Sequence, residues 1–283
     1  MPMKMPAAFS PKMPLLLFFV LTFVIAWGFW LLPLLAAHGV LQLSSGEQTA
    51  CLIAGSYAPF IAVLISLYRD GGWPTVRDFA RRCLRFRIGP DYVIASLLLV
   101  PLLGLAAAWI YSRMGGPPLA LAVSVGQIPM LFVLMLFMGG AVNEEFGWAY
   151  AIDRLQRGRR LLSATILLGV IWACWHLPLF FIAGVTQSFL PFWAFLIFAV
   201  ALRLLFVWGY ESNGKSLLVP LAFHTTTNLT LNLFVLVDRS AQRNERGFIV
   251  FALLAMIVAG LVALTARRYR STIALPAEAS GKT

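Results

Sequence analysis

A chain of 283 residues that is 60% hydrophobic and only 12% charged, with a mean hydropathy of +0.85, is too apolar for a soluble domain, where about a quarter of residues carry charge. Its formal net charge of +11 calls for no nucleic acid, because the cytoplasmic loops of a membrane protein collect the same excess of Lys and Arg. Cys51, Cys83 and Cys174 show no metal or redox spacing and give no disulfide framework.

Lys4 and Lys12 precede an apolar run over 15–37. It exceeds the roughly 7–15-residue core of a signal peptide, so a retained first spanning helix is expected. A second run covers 50–68. The stretch 69–87 then interleaves Arg77, Arg81, Arg82, Arg85 and Arg87 with Trp73, Phe79, Leu84 and Phe86. That mixture suits a helix lying in the headgroup region against anionic lipid. Further spans are expected at 90–111, 128–150, 161–182, 189–210, 217–237 and 248–266, followed by a small polar tail at 271–283. Strands closing into a barrel would alternate apolar and polar residues, and none of these runs does. The fold class expected is all-α, one polytopic membrane bundle over 1–283 with about eight transmembrane helices. Lys and Arg concentrate on alternate loops, with Arg113, Arg239, Arg243 and Arg246 on the others. Both termini are therefore expected in the cytoplasm.

Two adjacent carboxylates, Glu144 and Glu145, fall inside the fourth run, with His176 in the fifth and His224 and Asn228 in the seventh. An acidic side chain at mid-bilayer costs roughly 2.5–3.5 kcal/mol on insertion scales, so such a set marks a functional site. On a helix Glu144 and Glu145 point about 100° apart, so one is expected to face the site while another group binds the other. His224 and Asn228, four apart, share a face. Trp172, four before His176, walls one side of the pocket, and Pro178 and Pro220 free backbone carbonyls next to the histidines. A carboxylate in an apolar pocket is a usable general base, and a His–Asn face can donate to an oxyanion. The same Glu144, His176 and His224 could alternatively hold zinc with an open position for water. Other chemistries for paired imidazoles are haem ligation or a proton path.

At these residues the sequence resembles the CPBP intramembrane proteases, also called the Abi or CAAX-protease family. The Glu pair of its E-E-x-x-x-R motif is matched by Glu144-Glu145 in the setting Glu144-Glu145-Phe146-Gly147-Trp148, an aromatic-then-His motif by Trp172-Ala173-Cys174-Trp175-His176, and H-x-x-x-N by His224-Thr225-Thr226-Thr227-Asn228. The resemblance runs from about residue 69 to 228 and looks most like bacterial members. It implies an eight-helix endopeptidase of the plasma membrane, opening toward the cytoplasm and cutting near the C-terminus of a peptide or prenylated protein. Glu144 would activate water with His176 as partner, His224 and Asn228 would stabilise the oxyanion, and Glu145 would support the site. Zinc-dependent and metal-free mechanisms both remain open. The family Arg falls at position 149, which is Ala149 here. Glu145 is therefore expected either to be protonated or to recruit Arg154 or Arg203. The alternative is an inactive, protease-like binding protein or bacteriocin self-immunity factor.

Overall fold

The computed structural model describes residues 15–239 and 244–270, and among these it contains helices and no strand. The basic N-terminal residues Lys4 and Lys12, Arg243 and the expected tail at 271–283 lie outside the described residues. The helices are α1 (Leu15–Ala37), α2 (Ser45–Ser56), α3 (Ala58–Cys83), α4 (Pro90–Arg113), α5 (Ile128–Met138), α6 (Ala141–Leu155), α7 (Leu161–Trp175), α8 (Phe192–Ser212), α9 (Leu218–Leu233), α10 (Arg246–Thr265) and the single turn α11 (Arg267–Arg270). Six helical stretches are long and apolar enough to cross a bilayer, or seven if the bent pair formed by α5 and α6 counts as one span. The protein is therefore a multi-pass helical bundle. The expected span count is nearly met, and α9 falls short because it has only 16 residues.

Local chemistry sets the breaks. The second expected span is split at Tyr57, where Pro59 at the start of α3 cannot donate a backbone bond back into α2. Ser44 and Glu47 close a capping box at the head of α2. Helix α3 kinks at Gly71-Gly72 and continues as the basic segment to Cys83. Pro178 and Pro220 do not interrupt helices as the sequence suggested. α7 already ends at Trp175, with Pro178 in the 3-10 turn that follows, and Pro220 sits in the first turn of α9, where a missing donor is harmless.

Helix α8 is the centre of the bundle, packing on α7, α9 and α10, while α4 covers α9 and α10, and α3 covers α6. Its spanning window is 67% buried, against 22% for the lipid-facing α1. Close approach of α7 to α8 needs Gly169, since a Cβ there would come 2.8 Å from the Val200 backbone. That contact fixes the height of Arg203 on α8 against Trp172 and His176 at the end of α7.

At one end of the bundle, Asp153 of α6 accepts from Arg82 and Lys215, both at 2.7 Å, and from Tyr210 Oη at 3.2 Å. Arg154 pairs with Asp70 at 2.7 Å and lies over the Tyr150 ring. These ties clamp the basic segment of α3 to the core. Of the arginines in 77–87, Arg82 is spent on Asp153, while Arg77 and Arg81 in α3 and Arg85 and Arg87 just beyond it are exposed.

Candidate active site

The Glu pair is not near the end of a continuous helix. The fourth apolar run breaks at Gly139-Gly140, and the two halves bend by 44°. Gly140 takes φ +112°, a conformation open to glycine and costly for other residues. Helix α6 starts anew there, and Asn143, Glu144 and Glu145 occupy its first turn and a half, all buried. A helix N-terminus favours negative charge, which helps hold carboxylates at membrane depth.

Glu145 turns away from the cavity. Its two oxygens receive Nη1–H and Nη2–H of Arg203, each at 2.7 Å, and Oε1 also accepts from His224 Nδ1 at 2.7 Å. The Arg that position 149 lacks is thus replaced from α8, at a side chain only 1% exposed. Arg154, the other candidate, is taken by Asp70. The Arg203 guanidinium also lies 4.0 Å from the Trp172 ring centroid, a cation–π contact that gains weight where water is absent.

Glu144 faces the other way. Its Oε2 accepts the indole N–H groups of Trp172 at 2.6 Å and Trp148 at 3.1 Å. Its Oε1 and His224 Nε2 both crowd Gly140, lying 2.5 and 2.7 Å from the point a Cβ there would occupy. Both atoms thus sit at the same corner of the cavity wall, beside the Gly140 backbone. Trp172 links the two carboxylates, because it donates to Glu144 and stacks on the cation that holds Glu145.

His176 caps α7, and its Nδ1 lies 2.8 Å from the Trp172 carbonyl. A carbonyl only accepts, so Nδ1 carries the proton and Nε2 is left as an acceptor. The ring is packed edge-on among Trp172, Trp175 and Phe195. His224 is fixed in the same way through Glu145, so the Nε2 of each ring is the one not engaged by the protein. Asn228, one turn above His224, donates an amide N–H to the Gly139 carbonyl and so ties α9 to the α5–α6 break.

Glu144, His176, His224 and Asn228 line one cavity of about 610 Å³, with Trp172, Asn232 and Gly140 among its other walls. The cavity reaches Thr49, the 184–187 turn and Arg239, which lie at the opposite end of the bundle from Arg82, Asp153 and Lys215. The two orientation expectations thus exclude one another: the cavity opens at the end remote from the Arg-rich loops. Among the described residues, no three His, Cys, Asp or Glu side chains are grouped as ligands for a metal ion. Glu144, His176 and His224 share a cavity but are not drawn together closely enough to form a zinc site as placed.

The sequence marks Trp172 as a wall and Arg203 as one of two partners for Glu145. Trp148 and the Gly139-Gly140 break emerge only in the structure, although a Gly-Gly pair inside an apolar run is a recognisable breaker.

Residues 126–230 match the family described as type II CAAX prenyl endopeptidase, Rce1-like. That stretch carries all five candidate site residues. A relative from Methanococcus maripaludis, CAAX prenyl protease 2, is 27% identical over 270 residues, covering 88% of this chain and 94% of the relative.

Proposed function

We propose that this chain, whose residues 126–230 match the Rce1-like type II CAAX prenyl endopeptidase family and whose archaeal relative is a CAAX prenyl protease 2, is an intramembrane endopeptidase that cuts near the C-terminus of a peptide or prenylated protein. The observation that carries this reading is the two-sided seat of Glu144: one oxygen held by two indole N–H groups, the other facing the cavity beside His224 Nε2.

In the proposed reaction a water bound at Glu144 Oε1 gives its proton to that oxygen and attacks the scissile carbonyl carbon. His176 Nε2, an acceptor facing the same cavity, orients the water. The second N–H of the Asn228 amide stabilises the oxyanion together with His224, which donates from Nε2 in its doubly protonated form, with Glu145 as counter-ion on Nδ1 and the ring keeping both protons through the cycle. When the C–N bond breaks, the proton on Glu144 passes to the leaving amine. The reaction as proposed runs on the chain's own side chains, since Glu144, His176 and His224 are not grouped as metal ligands. Arg203 does for Glu145 what the resemblance assigns to an Arg at position 149, which removes the reason to expect an inactive protein from Ala149.

The setting is the cell membrane, with Arg77, Arg81, Arg85 and Arg87 on anionic headgroups. Placing the Arg-rich loops in the cytoplasm puts the cavity mouth on the far side of the membrane.

The test is cleavage of a fluorogenic peptide library, prenylated and plain, by detergent-purified protein. Glu144→Gln keeps the shape and both indole bonds but removes the base, and is expected to lower kcat by at least about a hundredfold. His176→Ala is expected to fall comparably. A wild type that cuts nothing across the library returns the chain to the binding or immunity reading.

A further inference from the structure

The cavity wall carries two formal charges besides its imidazoles, and they are of opposite sign. Glu144 is one. The other is Arg239, exposed, in the segment after α9. Its neighbours on the wall are neutral: Thr186, whose Oγ1 accepts from Arg239 Nη2 at 3.0 Å, and Gln187. That bond uses one of the five donors of a guanidinium. The rest of this part of the wall is apolar, with Val185, Leu190 and Phe248. No acidic residue other than Glu144 lines the cavity among the described residues.

We propose that Arg239 is a specificity residue that binds the free α-carboxylate of the substrate's C-terminus at the cavity mouth. The inference rests on the peptidase reading for what enters the cavity. A volume of about 610 Å³ is that of a small-ligand site, roughly 300–1,000 Å³, so it takes a short chain end rather than a folded domain. A chain end brings a carboxylate, and an anion leaving water for an apolar-walled cavity needs a charged partner. A guanidinium meets a carboxylate in a planar, two-point pairing, which an amide or an uninterrupted chain cannot reproduce. With the base and the cation both on its wall, the cavity would select ends over internal segments and fix how far from the end the cut falls.

The experiment uses full-length protein in detergent and two fluorogenic peptides that differ only in a C-terminal acid or amide. Wild type is expected to favour the acid in kcat/KM by about tenfold to a hundredfold, as befits a charge-assisted bond. Arg239→Gln should lower the acid to the level of the amide through KM, leave the amide unchanged and keep the Tm. Arg239→Lys should recover part of the preference. The same two peptides, fluorescently labelled, are titrated by anisotropy into Glu144→Gln with and without Arg239→Gln, which reads binding apart from chemistry. An acid preference in binding that vanishes with Arg239→Gln upholds the anchor even if wild type cuts neither peptide, in which case only the peptidase reading falls. Equal treatment of acid and amide by wild type and by Glu144→Gln, or an equal loss on both peptides in Arg239→Gln, overturns it.

Discussion

Glu144 and Glu145 are chemically identical and adjacent, and the roughly 100° between them on α6 gives them different neighbours. Glu144 meets two indoles and a cavity; Glu145 meets a guanidinium and an imidazole that holds it from behind. Breaking a buried pair such as Glu145–Arg203 by removing one partner typically costs about 3–5 kcal/mol, because the surviving charge is left unpaired. Arg203→Met is therefore expected to lower the Tm sharply and to abolish activity through His224. Position 149 lies one turn from Glu145, where an Arg reaches it along the helix, and Ala149 and Arg203 face the same small void. Adding Ala149→Arg to Arg203→Met should recover much of the lost Tm, whereas Ala149→Arg alone should destabilise by placing two cations on one carboxylate. Thermal melts of the three variants check this, and additive losses in the double variant would refute it. The five candidate residues could be picked from the sequence because charge and imidazole are conspicuous against hydrocarbon. Trp148 could not, since an indole among nine tryptophans carries no mark of the carboxylate it serves.

Among the helices, the site depends on an interruption. Were α5 and α6 one straight rod, Glu144 would lie in a helix interior; the break at Gly139-Gly140 instead puts it in a first turn. It also exposes the Gly139 carbonyl, which Asn228 binds from α9. Gly140→Ala must hold a Cβ at φ +112° and within 2.5 Å of Glu144 Oε1 and 2.7 Å of His224 Nε2. Strain of about 1–3 kcal/mol is expected from the backbone alone. The same methyl must push aside Glu144 Oε1 and His224 Nε2, the two atoms the proposed reaction uses, so cleavage should vanish even at temperatures where circular dichroism shows the variant folded. Full activity in a folded Gly140→Ala protein would mean that the water binds elsewhere. Most helices were legible as apolar runs because lipid demands length and hydrophobicity. Their ends were less so, since α7 stops at Trp175 and α9 spans only Leu218–Leu233, and helices buried against protein rather than lipid need not reach both surfaces.

Across the whole molecule, charge and cavity point in opposite directions. Arg69, Arg77, Arg81, Arg82, Arg85, Arg87, Arg154, Arg157, Arg159, Arg160, Lys215, Arg267 and Arg268 gather at one end of the bundle. Among the described residues only Arg113, Arg239 and Arg246 stand at the other. The cavity mouth, at Thr186 and Arg239, belongs to the sparse end. Such a bias sets orientation in membrane insertion, so the orientation proposed above has the mouth on the non-cytoplasmic side, against the cytoplasmic opening that the resemblance implies. In that reading a substrate end arrives from the non-cytoplasmic face or slides in laterally between helices. The half-buried Cys51 and Cys174 are first replaced by Ala to clear the background. Thr186→Cys in that protein should then react with a membrane-impermeant maleimide in right-side-out vesicles and be protected in inverted ones, with Arg159→Cys showing the reverse. Labelling of Thr186→Cys only in inverted vesicles would put the mouth in the cytoplasm, and would make this chain one whose basic loops face outward against the usual electrostatic preference.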